Sequence, residues 1–175
     1  MNLKSILLSD DVVQSINDNM DYLLKIIPEL KFMIGFDHKN PEHHLDVWEH
    51  TLLALSMSEK RFDIRLCLLL HDIGKPFSYQ DGKVRHFRNH PSVSSDMSIK
   101  ILKRLGYDNT FCSYIGYLIS RHDSPINDTL INSNKELCIT LYKIQKCDAL
   151  AHNPDRLEKR KMYLNEIEKK LVLKK

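Results

Sequence analysis

Residues 68–76 read LLLHDIGKP. A leucine run of this kind is the interior of a buried helix, yet it ends in two coordinating side chains, His71 and Asp72. Gly74 and Pro76 then form a Gly-then-Pro stop. A second such pair follows at His122 and Asp123. Working outward, FDIRLC carries the helix back to about Phe62, and LDVWEHTLLALSMSE has helical apolar periodicity over residues 44–59. Asp10 or Asp11 caps a helix through about Ile27, interrupted by Pro28. FSYQDGKVRHF is the one extended piece, turning at Asp81 and Gly82. Pro91 suits the first turn of a helix to about Leu105, which Gly106 closes. Further helices are expected over 109–121 and 133–153. Asn153 and Pro154 restart a last helix with a narrow stripe of Leu157, Leu164, Ile167 and Leu171. Its bases are mixed with Glu158, Glu166 and Glu168, as on a solvated face, so residues 155–175 are predicted to form a peripheral helix. The expected fold is all-α, one helical bundle spanning 1–175.

Bulk composition agrees. A chain of 175 residues with 42% hydrophobic and 28% charged residues has the length and makeup of one globular domain, and five glycines lean it toward helix. A formal charge of +3 does not indicate RNA or DNA as a partner. Cys67, Cys112, Cys138 and Cys147 sit in apolar segments without a CxxC pair, and read as small buried hydrophobes in a reducing compartment. No segment has the length of a membrane span or the pattern of a signal peptide, so the expected location is cytoplasmic. Nothing specifies an oligomeric state. Nine histidines are the compositional anomaly.

Their positions follow the helical periodicity. His50 shares a face with Val47 and Ala54, and His71 shares one with Ile64 and Cys67. His90 lines up with Ser94, Met97 and Ile101, and His122 with Ile115, Leu118 and Ile119. Asp148 falls in the stripe Leu137, Leu141, Ile144, Ala151. An ionised carboxylate there costs several kcal/mol unless it is paired or binds a cation. A single core histidine is usually just hydrogen-bonded, but imidazoles and carboxylates converging on one place fit a divalent metal.

At these residues the chain resembles the HD-domain superfamily of metal-dependent phosphohydrolases. The pattern His, His-Asp, Asp is present as His50 in DVWEHTLLAL, His71 and Asp72 in LLLHDIGKP, and Asp148 in KCDALAHNP. PELKFMIGFDHKNPEHHLDVWEHTLLAL is similar to the HD region of bacterial tRNA nucleotidyltransferases, and the similarity runs over about 28–154. Only about 27 residues precede that region here, so the expectation is a stand-alone HD hydrolase rather than a CCA-adding enzyme. The resemblance implies a first metal on His50, His71, Asp72 and Asp148. A second would share Asp72 as a bridge and add His90 and His122.

The implied activity is hydrolysis of nucleotides or other small phosphorylated compounds, as phosphodiesterase or phosphomonoesterase. A bound metal lowers the pKa of a coordinated water and polarises a phosphoryl oxygen, so no Ser or Cys nucleophile is required. Mixed imidazole and carboxylate ligation suits Mn, Fe, Co, Ni or Zn, as one ion or two. Asp72, Lys75 and His86 are the candidate catalytic residues: Lys75 as a phosphate contact, with a solvated loop lysine as the alternative, and His86 as a support behind a metal ligand, a phosphate contact or a proton donor. Arg85 and Arg88 flank His86 and are either phosphate contacts or surface arginines. His43 and His44 are read as structural or rim residues, Trp48 as core, and Tyr79 as a stacking candidate. Two rivals stand beside the hydrolase: an HD-type di-iron oxygenase, and a non-catalytic metal-containing module that binds RNA or a nucleotide.

Overall fold

The computed structural model describes residues 2–173; residues 174 and 175, the end of the expected last helix, lie outside the described residues. Among the described residues the chain forms eleven α-helices and no strand longer than an isolated bridge. The fold is all-α, as the sequence predicts.

The leucine run is its axis. Helix α5 (Phe62–Leu70) buries every residue from Ile64 to Leu70, and a helix apolar all round must be enclosed. It is packed by α1 (Leu3–Leu7), α4 (Val47–Ser56), α8 (Asn109–Arg121) and α10 (Lys135–Leu150). One hydrophobic cluster runs from Leu3 to Leu171. Arg65, buried on α5, ties the N-terminal segment to this core by donating to the Leu7 and Ser9 carbonyls at 2.8 and 2.7 Å. Trp48 is core, 6% exposed, and all four cysteines are buried and free. None of the described helices is long and apolar enough to cross a membrane.

Local chemistry sets the helix ends near the ligand candidates. Asp46 starts α4 with a capping box: its Oδ1 accepts from Glu49 N at 2.8 Å, while Glu49 Oε2 accepts from Asp46 N. Asp108 caps α8 and Asn134 caps α10 in the same single-bond way. Helix α7 (His90–Arg104) ends at Gly106, whose φ of +85° permits the paired bonds Tyr107 N to Leu102 O and Gly106 N to Lys103 O.

Several expected boundaries shift. The first predicted helix divides into α2 (Val12–Asp18, capped by Asp11) and α3 (Met20–Ile26), parted at Asn19. The helix expected over 133–153 begins at Lys135, after the separate α9 (Asp128–Ser133). Gly74 and Pro76 do not form a stop. Helix α5 ends at Leu70, and Pro76 sits in the first turn of α6 (Lys75–Ser78), a place where its missing N–H costs nothing. The extended piece is a single antiparallel bridge between Gln80 and His86. The last helix, α11 (Glu158–Leu173), packs on α10 and buries Leu164, Ile167 and Leu171 of the predicted stripe, while Leu157, also buried, lies just before it.

Candidate metal centre

The two His-Asp pairs occupy equivalent places. His71 is the C-cap of α5 and His122 the C-cap of α8, and each turns its ring back to donate Nδ1–H to the carbonyl three residues earlier. These bonds, His71 to Leu68 O at 2.8 Å and His122 to Ile119 O at 2.6 Å, engage carbonyls of the last helical turn, the second of which also accepts from His122 N at 3.3 Å. His90, opening α7, donates likewise to Phe87 O at 2.7 Å. His50 on α4 donates to Ala151 O at 3.1 Å, just past the end of α10. All four tautomers are thereby fixed with the proton on Nδ1, which leaves four Nε2 lone pairs for a cation.

Those lone pairs converge on two carboxylates. Asp72 turns Oδ2 toward His71 Nε2 (3.3 Å) and His50 Nε2 (3.8 Å), and Oδ1 toward His90 Nε2 (3.3 Å) and His122 Nε2 (3.9 Å). Asp148 Oδ1 lies 2.9 Å from His50 Nε2 and 3.5 Å from His71 Nε2. The structure thus brings all six sequence-predicted ligands together, with Asp72 between two histidine pairs. Each set of ligand atoms, His50/His71/Asp72 and Asp72/His90/His122, fits within 4.8 Å, and so does His50/Asp148/His152.

The donor set fits a metal for a physical reason. With every Nδ1 protonated, acceptor faces acceptor across 2.9 Å between His50 and Asp148 and across 3.1 Å between His90 and His122. His71 Nε2 and Asp72 Oδ1 are buried without a hydrogen-bond partner. Positive charge is what this cluster lacks, and a proton or a divalent cation can supply it. With protons alone, burial disfavours the His71 imidazolium, but Asp72 and Asp148 outweigh it and raise its pKa to about 10. Burial instead prevails at His122, pushed down to about 3. Both carboxylates, opposed by burial but surrounded by imidazoles, are held well below the ordinary range.

Lys75 is not a solvated loop lysine. It is 4% exposed, with Nζ 2.7 Å from Asp72 Oδ2 and 3.0 Å from His38 Nε2. His38, buried and donating Nδ1–H to Leu45 O at 2.9 Å, accepts from that ammonium. Burial and Lys75 push the His38 pKa down to about 2. His43 stacks flat on His38 at 3.6 Å and tilts against His152 at 4.3 Å. His152, 4% exposed, donates Nδ1–H to Asp148 O at 2.8 Å and, buried, is pushed down to about 4. His38 and His152 escaped the sequence reading, one because it lies in a loop without periodicity, the other because it follows the helix end.

A cleft of about 200 Å³ opens on the centre. Asp72, Lys75, His86, Arg88 and His90 are among its lining residues, so His86 stands at its exposed rim rather than among the ligands. His44 is exposed. Arg85 is neither a phosphate contact nor a surface arginine. It is buried, donates to Asp81 Oδ1 and Asp37 O at 2.7 Å each, and stacks on Phe36 and Tyr79, which also occupies the Tyr79 ring.

A family model described as the HD domain matches residues 42–166. The chain belongs to the HD-domain family. This HD protein is similar to curated tRNA nucleotidyltransferases. The CC-adding tRNA nucleotidyltransferase of Thermus thermophilus is 33% identical over 104 residues, 55% of this chain and 24% of that protein. The A-adding tRNA nucleotidyltransferase of Deinococcus radiodurans is 30% identical over 136 residues, 70% of this chain and 31% of that one. The multifunctional CCA protein of Hahella chejuensis is 29% identical over 142 residues, 78% of this chain and 32% of that protein. The HD chain therefore spans about a quarter to a third of the length of these relatives.

Proposed function

We propose that this HD protein is a metal-dependent phosphohydrolase acting on nucleotides or other small phosphorylated compounds. One observation carries the reading. Four imidazoles, each locked by a main-chain carbonyl, aim their Nε2 atoms at two buried aspartates. His50, His71, Asp72 and Asp148 would hold a first ion; Asp72, His90 and His122 would hold a second. Such an ion supplies an acidified water and a Lewis acid for phosphoryl oxygen, and the ligand types favour Mn, Fe, Co, Ni or Zn.

The chain's own residues do the rest. The carbonyl partners keep each imidazole in its metal-binding tautomer. Lys75 neutralises Asp72 from the side of His38 and so keeps the centre from excess negative charge when an anionic substrate approaches. His86 and Arg88, at the open rim, meet the substrate as it enters. Hydrolysis adds water to phosphorus, breaks the P–O ester bond and delivers a proton to the departing oxygen. His86, exposed on that rim, is the proposed donor of that proton. Residues 1–175 would act as one HD unit, since the helices on both sides of the matched region share its core.

The test is turnover of cyclic nucleotides, nucleoside mono- and polyphosphates and simple phosphate esters, with Mn, Co, Ni and Fe in turn. Metal-dependent turnover that disappears in Asp72→Ala is expected. No turnover above that variant refutes the proposal. Iron with an oxygen-dependent spectral change would then favour the oxygenase. Steeply salt-dependent tRNA binding without hydrolysis would favour an RNA-binding module, the alternative that the named activities of the relatives raise.

A further inference from the structure

A second cleft, about 190 Å³, adjoins the first on the side of α11. His122, Asp123, Asp148 and Arg160 line both, so the two clefts meet at the metal centre and at one guanidinium. Beyond that border the wall is Pro125, Ala149, Tyr163 and Leu164. Of its remaining polar side chains, Gln145 and Tyr163 are committed elsewhere, which leaves the Ser124 hydroxyl. Gln145 Nε2 donates to Ser124 O at 2.7 Å, and Tyr163 OH donates to Gln145 Oε1 at 3.1 Å while accepting from Ile126 N at 2.8 Å. The side cleft therefore offers apolar surface, the Tyr163 ring and the Ser124 hydroxyl, with charge confined to its mouth.

Arg160 is unlike the chain's other partly buried arginines. Arg61, Arg65 and Arg85 are held by carboxylates or carbonyls, and Arg121 reaches the Pro125 carbonyl. Arg160 is partly buried and makes no hydrogen bond or close ion pair among the described residues; Asp123, on the same border, meets it only through a longer-range electrostatic attraction. Taking a permanent cation partly out of water without a hydrogen-bonded partner is unfavourable, and a guanidinium on the border of the metal-centre cleft matches the paired oxygens of a phosphoryl group. We infer that Arg160 binds a non-bridging oxygen of the substrate phosphoryl group at the metal centre, and that the side cleft receives a single aromatic or apolar ring esterified to it. The cleft is smaller than the roughly 300–1,000 Å³ of sites for drug-sized ligands, which suits one ring. The substrate would then be an aryl or nucleobase-bearing phosphate rather than a small polar one. The catalytic part of this rests on the hydrolase reading; the binding part does not.

Phenylphosphonate and methylphosphonate, which cannot be hydrolysed, separate the two contacts by calorimetric titration into Mn-loaded protein. Phenylphosphonate should bind about tenfold or more tightly than methylphosphonate. Arg160→Ala should weaken both by roughly tenfold to a hundredfold, the worth of a charge-assisted hydrogen bond. Arg160→Lys should recover part of that loss. Leu164→Phe, which fills the cleft, should weaken phenylphosphonate alone. Manganese content and circular dichroism should match wild type in the Arg160 variants, whose side chain is no ligand. Equal binding of the two compounds, or unchanged affinity in Arg160→Ala, overturns the inference. Turnover of phenyl phosphate, measured alongside, distinguishes the two proposals. Arg160-dependent binding without turnover removes the hydrolase and keeps the subsite. Turnover with kcat and KM unchanged in Arg160→Ala removes the subsite and keeps the hydrolase.

Discussion

Asp72 is the residue on which both halves of the centre depend, because its two oxygens face different histidine pairs. Asp72→Asn keeps the shape but removes the charge that any cation there needs. Elemental analysis after Mn loading should find little bound metal, and hydrolysis should fall to background; full metal occupancy in the variant would refute the bridging role. Lys75 tests the same carboxylate from the other side. Removing one partner of a buried pair costs about 3–5 kcal/mol because a bare charge is left behind. Lys75→Met should therefore destabilise chelator-treated protein by about that much in urea melts, and the metal-loaded protein by clearly less, since the ion takes over the compensation. Equal losses in both states would show that Lys75 and the metal do not share the carboxylate. The sequence exposes the six proposed ligands because each lies on a helical apolar stripe or its continuation. Lys75 was readable only as ambiguous, since nothing local distinguishes a lysine folded inward on Asp72 from one in solvent. Arg160 stood in a helix whose mixed charges pointed to water, and only the packing of α11 on α10 reveals the face it presents.

At the scale of the element, the decisive contact is the crossing of the 71–75 turn with α7. A Cβ on Gly74 would come within 2.6 Å of Ser94 N and 2.8 Å of Ser94 Oγ, and the first of these is backbone that cannot rotate away. The close approach is cemented by Gly74 N donating to Ser94 Oγ at 2.9 Å. Gly74→Ala must push α7 outward, and His90 with it, while His50 and Asp148 stay on α4 and α10. A loss of about 1–3 kcal/mol in stability is expected. Metal titration should show the Asp72/His90/His122 site weakened more than the His50/His71/Asp148 side. Equal weakening, or none, would mean that the turn does not position α7. This explains where the reading of boundaries fell short. Gly74, read as a stop, has a φ of −84° and is required for space, not for a left-handed turn. Gly106, read the same way, does adopt that turn. Sequence alone gives both the same letter, while long-range packing against Ser94 separates them. Helix α7, opened by Pro91 and closed at Gly106, and helix α8, capped by Asp108, were legible nearly to the residue; the short helices α6 and α9 were not, because so few residues carry no periodicity.

For the whole molecule, the proposed ligands come from the ends or interiors of α4, α5, α7, α8 and α10, so two ions sharing Asp72 would join five helices at the centre. An ion that binds only the folded chain adds stability by mass action, about 4 kcal/mol at a thousandfold excess over Kd. Chelation should lower the melting temperature accordingly. The chelated protein should also have a distinctive pH profile. His38, His122 and His152 have folded pKa values of about 2, 3 and 4, below the unfolded value near 6.5. Below pH 6.5 the unfolded chain binds protons that these buried rings refuse, so stability falls as the pH drops, by about 1.4 kcal/mol per unit for each ring. His71 acts in the opposite sense. Its folded pKa of about 10 means that its contribution is intact below pH 6.5 and is lost as the pH rises toward 10. Urea melts in chelator should therefore peak near pH 6.5. Metal binding requires His71 neutral, so at pH 7.5 each ion bound beside it should release about one proton, read from the dependence of calorimetric enthalpy on buffer ionisation. A flat pH profile in chelator, or binding without proton release, would mean that the cluster does not hold a proton in the ion's place and that the charge balance argued for the centre is wrong.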